Sequence, residues 1–123
     1  MSHFSTVRTE LRDRQALVDA LTDLGHPPAP EARQVRGYRG AVVTADLAVP
    51  QPHGADIGFR WNEASGCYEL VTDLDLWKQP VPVERFLAQL RQRYALRTIL
   101  AATAEEGFQL NEQSGHLDGG SEL

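Results

Sequence analysis

Residues 57–75 read IGFRWN, EASG and CYELVTDLD, and this stretch decides the fold. Ile57, Phe59 and Trp61 alternate with Gly58, Arg60 and Asn62; after the turn, Tyr68, Leu70, Thr72 and Leu74 alternate with Glu69, Val71, Asp73 and Asp75. Alternation with period two marks strands with one buried face. A four-residue loop, Glu63 to Gly66, predicts a hairpin that sets Trp61 opposite Tyr68, Phe59 opposite Leu70 and Arg60 opposite Glu69. That register collects the aromatic rings on one face, Trp61 included as a core residue. It puts a cross-strand ion pair, Arg60 with Glu69, on the other.

The same reading extends outward. Upstream, His3 to Thr9 suits a strand, and Asp13 to Leu24 a helix. Leu17, Leu21 and Leu24 form its stripe, Asp13 its N-cap and Gly25 its stop before Pro27 and Pro28. Glu31 to Tyr38 and Ala41 to Val49 read as two further strands, the second with Val43, Ala45, Leu47 and Val49 on one face. Pro50 to Gly54 breaks the run. Downstream, Pro80 to Pro82 opens a long helical stretch. Phe86, Leu87, Leu90 and Tyr94 make one stripe, while Leu96, Ile99, Leu100 and Thr103 continue it out of phase. The phase shift predicts a break near Tyr94, Gly107 an end, and Phe108 to Glu112 a last short strand. The order β-α-β-β-β-β-α-(α)-β predicts an α+β domain over 1–113, an antiparallel-rich sheet with helices packed on one face. A flexible acidic Gly/Ser tail over 114–123 is expected to follow.

The whole chain is 123 residues with 41% hydrophobic and 24% charged residues, a globular composition for one domain. A net charge of -5 argues against nucleic acid and against an anionic membrane surface, because both need a basic footprint. Eleven of the twelve basic residues are arginine, Lys78 being the exception, which GC-rich coding explains. Nowhere do eighteen apolar residues run together, and Met1 to Arg12 lacks the apolar core of a signal peptide, so a cytoplasmic protein is expected.

Candidate chemistry is sparse. His3, His26, His53 and His116 show no helical pairing and read as scattered loop residues, so no metal site and no cofactor are expected. Cys67 is the single cysteine, with no histidine near it in sequence, and reads as a packed thiol. Asp73 and Asp75 lie about 6.6–7 Å apart if both are on one strand face. Paired carboxylates can bind a hard cation or transfer protons. Arg60 and Glu69 on the same face make an ion-pair lattice the plainer reading. Gly37-Tyr38-Arg39-Gly40 is too short for a phosphate cradle and reads as a turn between strands. Trp77, at the edge of an element, stands between a core role and an interface role.

Several short motifs recur in order in one family. They are Ser2-His3-Phe4-Ser5, Gly37-Tyr38-Arg39-Gly40, Gly58-Phe59-Arg60-Trp61, Tyr68-Glu69-Leu70-Val71-Thr72-Asp73, Trp77, Phe86-Leu87, Arg93-Tyr94-Ala95 and Gly107-Phe108. Through them, residues 2 to 113 resemble the "hypothetical chloroplast reading frame 35" family of cyanobacteria, red-algal plastids and other bacteria. The resemblance implies a bacterial or plastid setting and assigns no catalytic residue. It also implies a final apolar strand, beginning where Asp118 to Leu123 stands here, so that a sheet edge would be left for a partner.

Two functions fit these residues. One is a non-enzymatic accessory or adaptor protein that binds a protein partner through a sheet edge and an aromatic surface, with a strand-paired homodimer possible. The other is a small-molecule-binding or enzymatic domain with a pocket between sheet and helices. The candidate binding residues are Trp77, Tyr38, Arg39, Arg60 and Asp73.

Overall fold

A computed structural model describes residues 4–114. The chain runs through β1 (Phe4–Leu11), α1 (Arg14–Asp23), β2 (Gln34–Arg36), β3 (Val42–Thr44), β4 (Leu47–Val49), β5 (Ile57–Asn62), β6 (Cys67–Asp73) and α2 (Val83–Ser114). Four strands form an antiparallel sheet in the order β1-β6-β5-β4, and β2 pairs with β3 in a separate ribbon. The class is α+β, as expected.

The β5–β6 hairpin has the register read from its alternation: Phe59 faces Leu70, Arg60 faces Glu69 and Trp61 faces Tyr68. Phe59, Leu70 and Tyr68 join Leu17, Leu21, Phe86, Leu87 and Leu90 in the main core, so both helices cover the same face of the sheet. Asp13 caps α1, its Oδ1 accepting from the N–H groups of Gln15 and Ala16 at 2.9 and 3.2 Å. Gly25 takes φ +85, the left-handed stop the sequence called for.

Four expectations are corrected. Ala41 to Val49 is two strands in two sheets. The Ala45 N–H bonds to the Arg33 carbonyl, and the next residue's N–H, that of Asp46, bonds to Phe59. The chain therefore changes sheets at Ala45–Asp46, sending Val43 and Ala45 to a small second core and Leu47 and Val49 to the main one. Trp61 lies 38% exposed rather than in the core, because it stands at the hairpin end beyond the helices, edge-on to Tyr68 at 5.0 Å. Glu69 is bonded by Asn62 Nδ2 at 2.7 Å, in place of the Arg60 pair. Finally, α2 breaks neither at Tyr94 nor at Gly107 but continues through Phe108 to Glu112, where a strand was expected. Backbone i to i+4 bonds do not depend on which side the apolar stripe faces, so the phase shift turns the stripe outward without ending the helix. The expected tail lies outside the described residues except for Ser114, and so do residues 118–123 of the final-strand comparison.

The second core explains one glycine. Gly58 lies under Val35: a Cβ built there would stand 2.2 Å from Val35 Cγ2. Val35, Ala45 and Ala48, with Phe4 and Val43 beside them, thus seat the β2–β3 ribbon on the face away from the helices.

Strand β1 is an edge of the sheet and carries a bulge. Arg8 pairs with Glu69 and Leu11 with Tyr68, leaving Thr9 and Glu10 against a shifted partner strand, with Glu10 at φ 66. The Thr9 hydroxyl repairs the ladder, donating to the Tyr68 carbonyl at 2.6 Å and accepting from the Leu11 N–H at 3.0 Å.

Candidate functional site

The turn at residues 37–40 is built from the end of β6. Asp73, fully buried, accepts the Tyr38 N–H on Oδ2 at 3.0 Å and the Asp75 N–H on Oδ1 at 3.1 Å. The two backbone donors satisfy a carboxylate that would otherwise be buried without partners. Gly37 permits the approach, since a Cβ there would meet the Phe4 ring at 2.8 Å and Asp73 Oδ2 at 3.1 Å. Phe4 is the residue paired with Asp73 across the β1–β6 ladder. Arg39 then takes the left-handed conformation at φ 54, followed by Gly40 at φ 78. This geometry stacks the Arg39 guanidinium over the Tyr38 ring at 5.1 Å, with Tyr38 39% exposed.

Three of the five candidate residues, Tyr38, Arg39 and Asp73, are thus one unit at the start of β1. Arg60 shares their face of the sheet, but it pairs with Glu69, four residues up β6 from Asp73 and so about 13 Å along the strand. Trp77 is on the other face. Its ring is half-buried against the main core, edge-on to Phe86 at 5.5 Å, and its Nε1–H donates to the Val81 carbonyl at 2.7 Å. Trp77 therefore pins the link from β6 to α2. Tyr38, Arg39, Arg60 and Asp73 do not line a pocket between sheet and helices. They face away from the helices, and apolar side chains fill that space. Asp73 and Asp75 do not share a strand face either, because β6 ends at Asp73 and Asp75 lies in the 3-10 turn Leu74–Leu76.

Other polar groups went unread in the sequence. Asp56, almost fully buried, takes a two-point bond from Arg36: Nε to Oδ2 and the terminal nitrogen to Oδ1, each 2.8 Å. It also accepts the N–H groups of Arg36 and Gln51, both at 2.9 Å. Burial alone would raise its pKa. The Arg36 guanidinium and the two backbone donors outweigh that and hold the carboxyl below the usual range. Asp23 joins the helices, accepting from Arg93 Nε and from two nitrogens of Arg97, all at 2.7 Å. The Arg97 and Arg93 guanidiniums keep it ionised far into acid. Residues twenty and seventy positions apart leave no spacing signal in a single sequence.

A cleft of about 420 Å³ opens at the bulge, lined by Arg8, Glu10, Arg12, Ser65 and Cys67 among others. Cys67 is buried, with Sγ 3.5 Å from the Ser65 carbonyl. Among the described residues, no three His, Cys, Asp or Glu side chains converge as metal ligands. No helix among them is long and apolar enough to cross a membrane.

Comparison with known proteins agrees with the motif reading. The chain is 42% identical to the "Uncharacterized protein ycf35" of Guillardia theta over 108 residues, covering 88% of this chain and 83% of the relative. The proteins of that name from Pyropia yezoensis and Cyanophora paradoxa are each 36% identical over 123 residues, covering all of this chain and 94% of the relative. No solved structure matches. Residues 20–123 match the family described as "Protein of unknown function (DUF1257)", and the chain belongs to that family.

Proposed function

We propose that this chain is a non-enzymatic accessory protein of the cytoplasm that binds an extended segment of a protein partner along the open edge of β1. The observation that carries the reading is a juxtaposition. The outer side of this eight-residue strand pairs with no other strand among the described residues. The exposed Tyr38–Arg39 stack stands at its beginning, on a turn held by Phe4 and Asp73. An unpaired edge supplies main-chain donors and acceptors in a row, and a neighbouring aromatic with a guanidinium supplies side-chain selectivity. The far end of the edge is closed, since Arg91 of α2 donates to the carbonyls of Thr9 and Arg8, both at 3.3 Å. That leaves Ser5 to Val7 as the stretch on which a partner strand would pair.

The test is capture of partners from native lysate with the intact chain and with Tyr38→Ala, followed by hydrogen exchange on the purified complex. A stoichiometric partner that protects the β1 amides over residues 5–7 and is lost with Tyr38→Ala supports the reading. A partner whose protection falls elsewhere refutes it, as does capture indifferent to Tyr38.

A further inference from the structure

Among the described side chains, α2 is docked on the domain body over its first half, as far as Arg97. Phe86, Leu87 and Leu90 are buried, Tyr94 accepts the N–H groups of Arg12 and Asp13 on its hydroxyl, and Arg97 makes the last tie, to Asp23. From Ile99 to Glu106 every residue is exposed. The apolar side chains of this stretch are not scattered. Leu96, Ile99 and Leu100 are 38%, 60% and 38% exposed and, with Thr103, fall at i, i+3, i+4 and i+7 on one face. Leu96 and Ile99 also border a cleft of about 650 Å³ that reaches Leu24 at the end of α1. A seam of this spacing accepts the matching seam of another helix. A free helical segment this short is marginal in water without such packing.

The charges on α2 choose the partner. Arg91, Arg93 and Arg97 precede the centre of the seam, and Glu105 and Glu106 follow it. In a parallel pair of α2 helices, like charges would meet. In an antiparallel pair about a two-fold axis between Ile99 and Leu100, Leu96 faces Thr103, Ile99 faces Leu100 and Glu106 faces Arg93. The guanidiniums of Arg93 and Arg97 share the single carboxylate of Asp23 and remain more than a third exposed, so they still have N–H groups to offer. The antiparallel arrangement also puts the two domain bodies at opposite ends of the seam. We infer that a second copy of this chain covers Leu96, Ile99, Leu100 and Thr103, forming an antiparallel two-helix dimer. The surface is independent of the β1 edge. It is also small against a standard interface of about 1,600 Å² in total, so the dimer is a concentration-dependent one.

Sedimentation velocity of the full chain over a wide concentration range tests this. The expected result is a monomer–dimer equilibrium that Ile99→Glu shifts to monomer by at least tenfold in concentration, with an unchanged circular dichroism spectrum. High salt and the substitution Glu106→Arg weaken it as well. For orientation, Ile99→Cys cross-links to its copy on oxidation. Thr103→Cys does not, because its copies are offset by about 10 Å along the antiparallel seam, beyond disulfide reach. A monomer at every concentration overturns the inference, as does a dimer unaffected by Ile99→Glu. Cross-linking of both cysteine variants overturns the antiparallel arrangement.

Discussion

The seating of the β2–β3 ribbon on Gly58 can be tested by a double-mutant cycle. Gly58→Ala places a Cβ 2.2 Å from Val35 Cγ2, 3.2 Å from Ala45 Cβ and 3.4 Å from the Leu47 carbonyl. Carbon atoms rest at about 3.5–4.0 Å, so the overlap with Val35 is about 1.5 Å. Val35 is fully buried and its χ1 is stiff, so it cannot swing aside and the ribbon must lift. An overlap this deep puts the overpacking cost at the upper end of the usual range, about 3 kcal/mol, partly offset by the roughly 0.5–1 kcal/mol gained by replacing a strand glycine. A net loss of about 2 kcal/mol is expected. Val35→Ala removes two methyl-sized groups at about 0.8 kcal/mol each, and the cavity brings its cost to roughly 2 kcal/mol. In the double variant the new Cβ occupies space that Val35 vacates. Its loss should therefore stay near 2 rather than 4 kcal/mol, a coupling of about 2 kcal/mol. Urea unfolding followed by tryptophan fluorescence measures all four chains, with an unchanged m-value as the check on two-state behaviour. Additivity within about 0.5 kcal/mol would refute the contact.

Three further outcomes follow from the same geometry. Trp77→Ala should destabilise by about 2–3 kcal/mol, below the 3–5 typical of a fully buried ring, and Trp77→Phe by about 1 kcal/mol for the lost indole hydrogen bond; a melting temperature unmoved by either would remove Trp77 from the core edge. Asp56→Ala removes the acceptor of the part-buried N–H groups of Arg36 and Gln51 and should cost roughly 1–3 kcal/mol by urea titration, with a loss under 0.5 kcal/mol showing that water replaces the carboxylate. His26 packs edge-on to Phe86 at 5.5 Å, and burial lowers its pKa below the ordinary 6.5. Its neutral form is favoured by folding, so its contribution is present above pH 6.5 and is lost as pH falls through the folded-state value. Melting temperature against pH should therefore fall below about 6.5, and His26→Gln should flatten that slope; an equal slope in the variant would assign it to other groups.

How much of the candidate site could be read in advance depends on the kind of signal. Gly37 and Gly40 marked a turn, and Asp73 stood out as one of a carboxylate pair with Asp75, yet nothing in the spacing joins residues 35 positions apart. The Asp73–Tyr38 bond exists because β1 and the ribbon bring the turn to the end of β6. Trp77 could not be sorted between core and surface, since a tryptophan at an element's edge alternates with nothing. The Arg36–Asp56 and Asp23–Arg93–Arg97 ties were invisible for the same reason.

The sequence by itself determined the local elements. Period-two alternation specified the β5–β6 register down to the residue, because a slip of one position would turn Phe59 and Leu70 to the other face. Asp13 and Gly25 set the limits of α1 through backbone bonds that any Asp and Gly would make there. Tertiary structure decided what local rules left degenerate. Ala41 to Val49 is a strand by propensity, but two separate cores compete for its side chains, so it divides where the main chain finds partners on both sides. The apolar stripe of α2 names a helix face without naming what faces it. Its first part meets the sheet and α1; its second, with Leu96, Ile99 and Leu100, is left exposed by the body of its own chain.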